Sequence, residues 1–306
     1  MVMRRPKKSG ALSLWMNNQR VGTWAVTAQG EHVLHYDNAW LASPLGRPIS
    51  LSMPLRPATA PYKGELVRNY FENLLPDNDN IRQRLAKRFS TGTEAFRLLA
   101  EIGRDCVGAL QVMPEAENPP SNEAIQFELL STEQVAEHLA GTLTTPAFTQ
   151  TDDTFRISIA GAQEKTALLW YKENWCRPLG ATPTTHIFKL PMGQMPGGID
   201  LSTSVENEWL CHTLLQAFEI PVAKAEIVQF GEMKALCVER FDRRWTANGR
   251  LVRLPQEDFA QVFGVSPDVK HESQGGPGIR QILDQLNGSS QAQIDRRDFF
   301  RTQVLF

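Results

Sequence analysis

The sequence predicts an α+β fold, and three features of its patterning carry that expectation. Strand-like alternation opens the chain, capped helical periodicity follows, and the second half runs strand after strand around one helix before ending in helices. Strands and helices thus come in blocks, without the strand–helix–strand alternation of a parallel sheet. At 306 residues the chain has room for about two domains of roughly 100–200 residues each.

The elements follow in order. "LSLWMNNQRVGTWAVT" alternates apolar and polar residues around an Asn-Asn-Gln turn, and "HVLHYD" adds a short strand. A proline-rich loop leads to three helical stretches: "LVRNYFENLL", "DNDNIRQRLAKRF" with an Asp/Asn cap after Pro76, and "TEAFRLLAEIG" with Thr93 as cap and Gly103 as stop. "VGALQVMP" returns to strand. The polar "EAENPPSNE" and the capped helix "STEQVAEHLAG" read as a connector. Beyond Gln150 come a strand, a glycine loop, a strand, the strand "THIFKLP", the helix "SVENEWLCHTLLQAF" and the strands "AEIVQF" and "KALCVERF". "QEDFAQVFG", "PGIRQILDQL" and "DRRDFFRTQVLF" are helical. The expected divisions are an amino-terminal domain at 1–118, a connector at 119–150, a nucleotide-binding lobe at 151–255 and the start of a helical lobe at 256–306.

Composition excludes several classes. Apolar residues make up 42%, enough for a full core. No run reaches the about 20 apolar residues that cross a bilayer, and no signal-peptide core follows the basic start, so no membrane partner and a cytoplasmic location are expected. A net charge of −2 from 32 basic and 34 acidic residues argues against a chain that coats nucleic acid by itself. Cys106, Cys176, Cys211 and Cys237 lack metal-type spacing, and no metal held by protein nitrogen and sulfur alone is expected.

The chemistry gathers in "SIAGAQEK". Ala160, Gly161 and Ala162 allow close backbone approach to a phosphate, and Lys165 supplies charge, but the run lacks the Walker A pattern and also suits a plain turn. Lys189 sits within an apolar strand, where an unpaired ammonium is costly unless it snorkels at an edge. The next helix carries Glu206 and Glu208, and "VERF" closes a strand at Glu239, Arg240 and Phe241. Glycine loop, strand lysine, helix glutamate and strand-end connector is the order of a protein-kinase amino-terminal lobe.

"WMNNQRVG", "NLLPDN", "LLAEIGRDCVGALQVMPE", "FRISIAGAQEKTALL", "TPTTHIFKLP", "CVERFDRRW", "RLPQEDFAQVFG" and "ESQGGPGI" together resemble HipA, the serine/threonine-kinase toxin family of bacterial toxin–antitoxin pairs. The resemblance implies a protein-kinase-like fold, with an amino-terminal α/β subdomain ahead of the nucleotide lobe, and ATP and Mg2+ as cofactors. It implies that Ser158 is the self-inactivating phosphorylation site. Ala160, Gly161, Ala162, Gln163, Glu164 and Lys165 would form the phosphate loop, Lys189 the nucleotide lysine supported by Glu208, and Glu239, Arg240 and Phe241 the adenine-side connector. Gln256 would face the active site, and residues 193–204 would form a mobile substrate loop. Implied partners are a HipB-type helix-turn-helix antitoxin, operator DNA through that complex, and a glutamyl-class aminoacyl-tRNA synthetase as substrate.

One departure stands beside this agreement. The family's D-x-H-x-x-N segment and later metal-binding Asp have no match before Phe306, so most of the helical carboxy-terminal lobe, with the catalytic Asp and the Mg2+ ligands, is expected beyond it. Asp284 with Asn287 has the wrong spacing, and Asp295 with Asp298 reads as the acidic first turn of a helix. The alternative to a toxin kinase is therefore a remnant that binds antitoxin or nucleotide without transferring phosphate.

Overall fold

A computed structural model describes residues 10–117, 125–143, 158–161, 163–194 and 197–305. The first domain is a five-stranded antiparallel sheet in the order β4-β3-β2-β1-β5. Its strands are β1 (Ala11–Met16), β2 (Gln19–Val26), β3 (His32–Tyr36), β4 (Tyr62–Lys63) and β5 (Leu110–Pro114). Asn17 and Asn18 both take left-handed backbone, φ 46° and 69°, which gives the β1–β2 hairpin a two-residue turn that matches strand twist. Gln19, expected in that turn, already belongs to β2.

Helices α1 (Asn38–Leu41), α2 (Glu65–Glu72), α3 (Asp79–Arg88) and α4 (Ala95–Ile102) complete the domain. Trp24 stacks on Phe71 at 3.7 Å between ring centroids, and Leu14, Val67, Leu98 and Ile102 fill the space around them. The Asn78 side chain caps α3 by accepting from the Asn80 N–H. Thr93 does not cap α4. The N-cap is Glu94, whose extended backbone (φ −64°, ψ 140°) lets the helix begin one residue later than the threonine suggested, with no side-chain cap bond.

The second sheet has six antiparallel strands in the order β12-β13-β9-β7-β8-β6. They are β6 (Phe127–Leu129), β7 (Lys165–Tyr171), β8 (Asn174–Pro178), β9 (His186–Lys189), β12 (Ala225–Phe230) and β13 (Met233–Glu239). The segment read as a connector does more than connect: β6 pairs with β8, and α5 (Thr132–Leu143) lays Val135 and Leu139 against Leu168, Phe188 and Cys237. A ribbon of β10 (Gly193–Gln194) and β11 (Asp200–Leu201) occupies the expected substrate loop and precedes α6 (Ser204–Ala217). A second ribbon, β14 (Arg243–Trp245) with β15 (Leu251–Arg253), follows the sheet.

Helices α7 (Phe259–Phe263), α8 (Ile279–Gln285) and α9 (Ala292–Leu305) end the chain. The segment around α7 docks on the first domain: Asn69 and Asn73 donate to Gly264 O and Val265 O at 2.9 Å, and Glu257 accepts from Ser50 Oγ at 2.6 Å. No helix among the described residues is long and apolar enough to cross a membrane.

Candidate functional site

Side chains on β9 alternate between faces. Phe188 points into the apolar cluster with Leu168 and Phe230, which leaves Lys189 on the opposite face. There its ammonium pairs with Glu208 Oε1 from α6. His212, one turn along α6, places Nε2 3.9 Å from the same oxygen. The strand lysine and helix glutamate of the sequence are therefore partners, each about a quarter exposed.

Lys165 lies directly across from Lys189 in the β7–β9 register. Like charges facing each other across strands repel. Burial, with the Lys189 ammonium adding to it, pulls the Lys165 pKa down to about 8, against the pull of Asp77 and Glu208. Asp77 also pairs with Lys270. Three ammoniums thus surround one spot with two carboxylates among them, which suits a polyanion that binds all three.

The glycine segment is held from the first domain. Phe155, Arg156 and Ile157, expected to lead it as a strand, lie outside the described residues, as does Ala162. Ser158 to Ala160 do not join the second sheet. Ser158 is fully buried; its Oγ donates to Leu74 O at 2.6 Å and its N–H to Asp105 O at 3.2 Å. Gly161 forms a parallel bridge with Pro76, and its carbonyl accepts from the Asp77 N–H at 3.2 Å. Docking on the first domain satisfies backbone groups of Ser158 and Gly161.

Gly161 is a required glycine: its φ is 114°, and a Cβ there would sit 2.4 Å from Lys165 Nζ. That ammonium donates to Ala160 O at 2.6 Å. Gln163 Nε2 donates to Leu190 O at 2.6 Å, and the Glu164 carboxylate pairs with Arg84 of α3. The loop is thereby tied to the first domain, to β7 and to the end of β9.

At the end of β13 the Glu239 N–H donates to Lys224 O and the Arg240 N–H to Thr185 O, both at 2.8 Å. Phe241 is exposed. Arg240 offers no side chain to a ligand, since its guanidinium is buried against Asp105 and Asp242. Gln256 packs its backbone against Gly108, where a Cβ would meet Gln256 O at 2.6 Å. Its side chain makes no hydrogen bond to Lys165 or Lys189 among the described residues. Asn287 accepts from Arg296, and Asp298 pairs with Arg297 and Arg301.

Sequence reasoning missed the ionic core that joins the two domains. Asp105 accepts from Arg243 at 2.9 Å, Arg253 at 3.0 Å and Arg240 at 3.3 Å, and from Thr184 Oγ1 at 2.6 Å. Asp242 accepts from Arg240 at 2.7 Å and from the Gly108 N–H at 2.7 Å. Burial would push the Asp105 carboxyl up, but the three guanidiniums outweigh it and hold the group well below the usual carboxylate range. The available signal was the density of arginine beside aspartate in "GRDC" and "FDRRW".

Two family models match the chain: the HipA N-terminal domain over residues 12–113, and the HipA-like C-terminal domain over residues 157–306. A Sinorhizobium fredii protein, Y4mE, is 31% identical over 290 residues, covering 90% of this chain and 64% of its own length. The serine/threonine-protein kinase toxin HipA of Shewanella oneidensis is 28% identical over 285 residues, covering 92% of this chain and 62% of the toxin. The chain thus spans just under two thirds of these two relatives. Among solved structures, a complex of Shewanella oneidensis HipA, HipB and operator DNA matches with a TM-score of 0.72 at 25% identity, over 94% of this chain and 67% of the HipA chain.

Proposed function

Because this chain belongs to the HipA family, with its protein-kinase-like fold, we propose that its second lobe binds ATP for a serine/threonine protein kinase of the toxin class. The observation that carries this reading is the Lys189–Glu208 pair, set beside Lys165 and the docked glycine segment. Glu208 fixes the Lys189 ammonium, which holds phosphate oxygens by charge-assisted hydrogen bonds. Gly161, Gln163 and Lys165 close over the phosphates, and the backbone at Glu239 and Phe241 receives the purine edge.

The residues present fit a triphosphate, because an anion relieves the repulsion between Lys165 and Lys189. Mg2+ is part of this reading as the counter-ion of the nucleotide, as the kinase family implies. It would neutralise charge on the phosphates during transfer.

Ser158 is the proposed regulatory acceptor. Transfer would form a bond from Ser158 Oγ to the γ-phosphorus, break the bond to the β-phosphate oxygen and release ADP, with the hydroxyl proton lost. The Oγ sits in a buried site against the Leu74 carbonyl, where a phosphate of nearly two negative charges is not tolerated. The phosphorylated segment must leave, taking Gly161 from Pro76 and Ala160 from Lys165, and the phosphate site is lost with it. The remaining assignments follow the family: a glutamyl-class aminoacyl-tRNA synthetase as substrate, a HipB-type antitoxin as partner, and operator DNA reached through that complex. The neighbouring HipA–HipB–DNA structure supports the last two.

Titration calorimetry with Mg-ATP tests the reading. Lys189→Ala should weaken binding by ~1.5–3 kcal/mol, the value of a hydrogen bond to a charged group. Equal affinity in the wild type and the variant would remove Lys189 from the site.

A further inference from the structure

A second basic concavity lies between the β1–β2 turn and the β14–β15 ribbon. This cleft of about 490 Å3 is walled by Asn17, Asn18 and Arg47 of the first domain and by Arg244, Arg250 and Arg253 of the second, with no Asp or Glu in its lining. Arg47, Arg244 and Arg250 are exposed, and none forms an ion pair among the described residues. Arg253 is buried, and its Nη1 has no acceptor among the described residues. The ionic core that Arg253 joins sets three guanidiniums against two carboxylates, so it adds positive charge.

This concentration is unusual in a chain whose net charge is −2. Several surface guanidiniums elsewhere have carboxylate partners, as Arg68 with Glu65 and Arg177 with Glu128 show. The wall is also rigid. Asn17 Nδ2 donates to Arg253 O, and the Arg253 N–H donates to Asn17 Oδ1, each at 2.9 Å. Guanidiniums without carboxylate partners around one concavity suit phosphate oxygens, which they can bind in pairs.

We propose that this cleft binds a small polyphosphate anion, whose phosphates bridge Arg47 to Arg244 and Arg250. Its volume falls within the roughly 300–1,000 Å3 of small-molecule sites. Its one aromatic lining residue, Trp40, is buried with its Nε1–H on Arg47 O, so no ring is open for base stacking as in single-strand binding. The site is separate from the lysine site and stands whether or not that site holds ATP.

The test is titration of the protein with inorganic tripolyphosphate at low salt, in a Lys189→Ala, Lys165→Ala background that removes both facing ammoniums of the lysine site. Binding is expected to persist there, to weaken about tenfold with each of Arg47→Ala, Arg244→Ala and Arg250→Ala, and to fall as NaCl is added. The three side chains are exposed, with no ion pair among the described residues and only a 3.3 Å bond from Arg47 Nε to Leu45 O, so the melting temperature of each variant should match its parent. Absence of binding in that background, or binding indifferent to all three arginines, overturns the proposal. A duplex oligonucleotide that binds with the same arginine dependence where tripolyphosphate does not would overturn it in favour of a nucleic-acid surface.

Discussion

Replacing Asp105 by Asn keeps the shape of the side chain and removes its charge. The carboxylate receives hydrogen bonds from Arg240, Arg243, Arg253 and both the N–H and Oγ1 of Thr184, all buried. Without it, Arg240 and Arg243 keep only Asp242, and Arg253 loses its carboxylate partner. Breaking a buried ion pair by removing one partner costs about 3–5 kcal/mol, a large part of the roughly 5–15 kcal/mol that stabilises a typical folded chain. In urea, with a slope near ~3 kcal/mol per molar, the unfolding midpoint should fall by about 1 M or more. Tryptophan fluorescence follows the transition, since Trp24 and Trp175 report on the two sheets. Glu128→Ala, which removes the exposed partner of Arg177, should cost under ~1 kcal/mol. A midpoint for Asp105→Asn within about 0.3 M of wild type would refute the view that this core joins the domains. The pH dependence has a definite sign. The folded Asp105 pKa is depressed, so its contribution is complete above the ordinary carboxylate value of about 4 and is lost as pH falls toward the folded value. Asp105→Asn should flatten that acid limb.

Further outcomes follow from the lysine site. Lys165 carries a pKa near 8, so Mg-ATP affinity should decline as pH rises through about 8, and Lys165→Arg should hold affinity beyond it; a flat wild-type profile would separate Lys165 from the phosphates. The same depressed value means that stability, followed by urea melts, should rise with pH between about 8 and the unfolded lysine value near 10.4. Ser158→Asp places a charge in the buried position against Leu74 O and should lower both the melting temperature and Mg-ATP affinity, whereas Ser158→Ala should retain nucleotide binding. Equal nucleotide affinity in Ser158→Asp and wild type would contradict the docking of the glycine segment as a condition of the site.

The Lys189–Glu208 pair was legible because each residue breaks a local rule: a lysine inside an apolar strand needs a partner, and the next helix offers one. Of the six-stranded sheet, β7, β9, β12 and β13 were legible from their patterning; β8 was not read as a strand, and β6, with three residues, is too short to separate from a polar connector. Asp105 was not legible. Its partners lie at 184, 240, 243 and 253, and only the fold brings arginines so distant in sequence onto one carboxylate. The docking of Ser158 and Gly161 on Leu74, Pro76 and Asp77 was hidden for the same reason, since backbone groups accept it and backbone leaves no mark in a sequence. Thr93 misled because Thr is a common cap, but its neighbour Glu94 holds the extended conformation at the helix start.

A crystal structure of the protein with a nucleotide triphosphate tests the central claim most directly. The account places phosphate oxygens within hydrogen-bonding distance of both Lys189 Nζ and Lys165 Nζ, under the backbone of Gly161. Phosphates bound elsewhere, with the Lys189–Glu208 pair untouched and facing solvent, would contradict it.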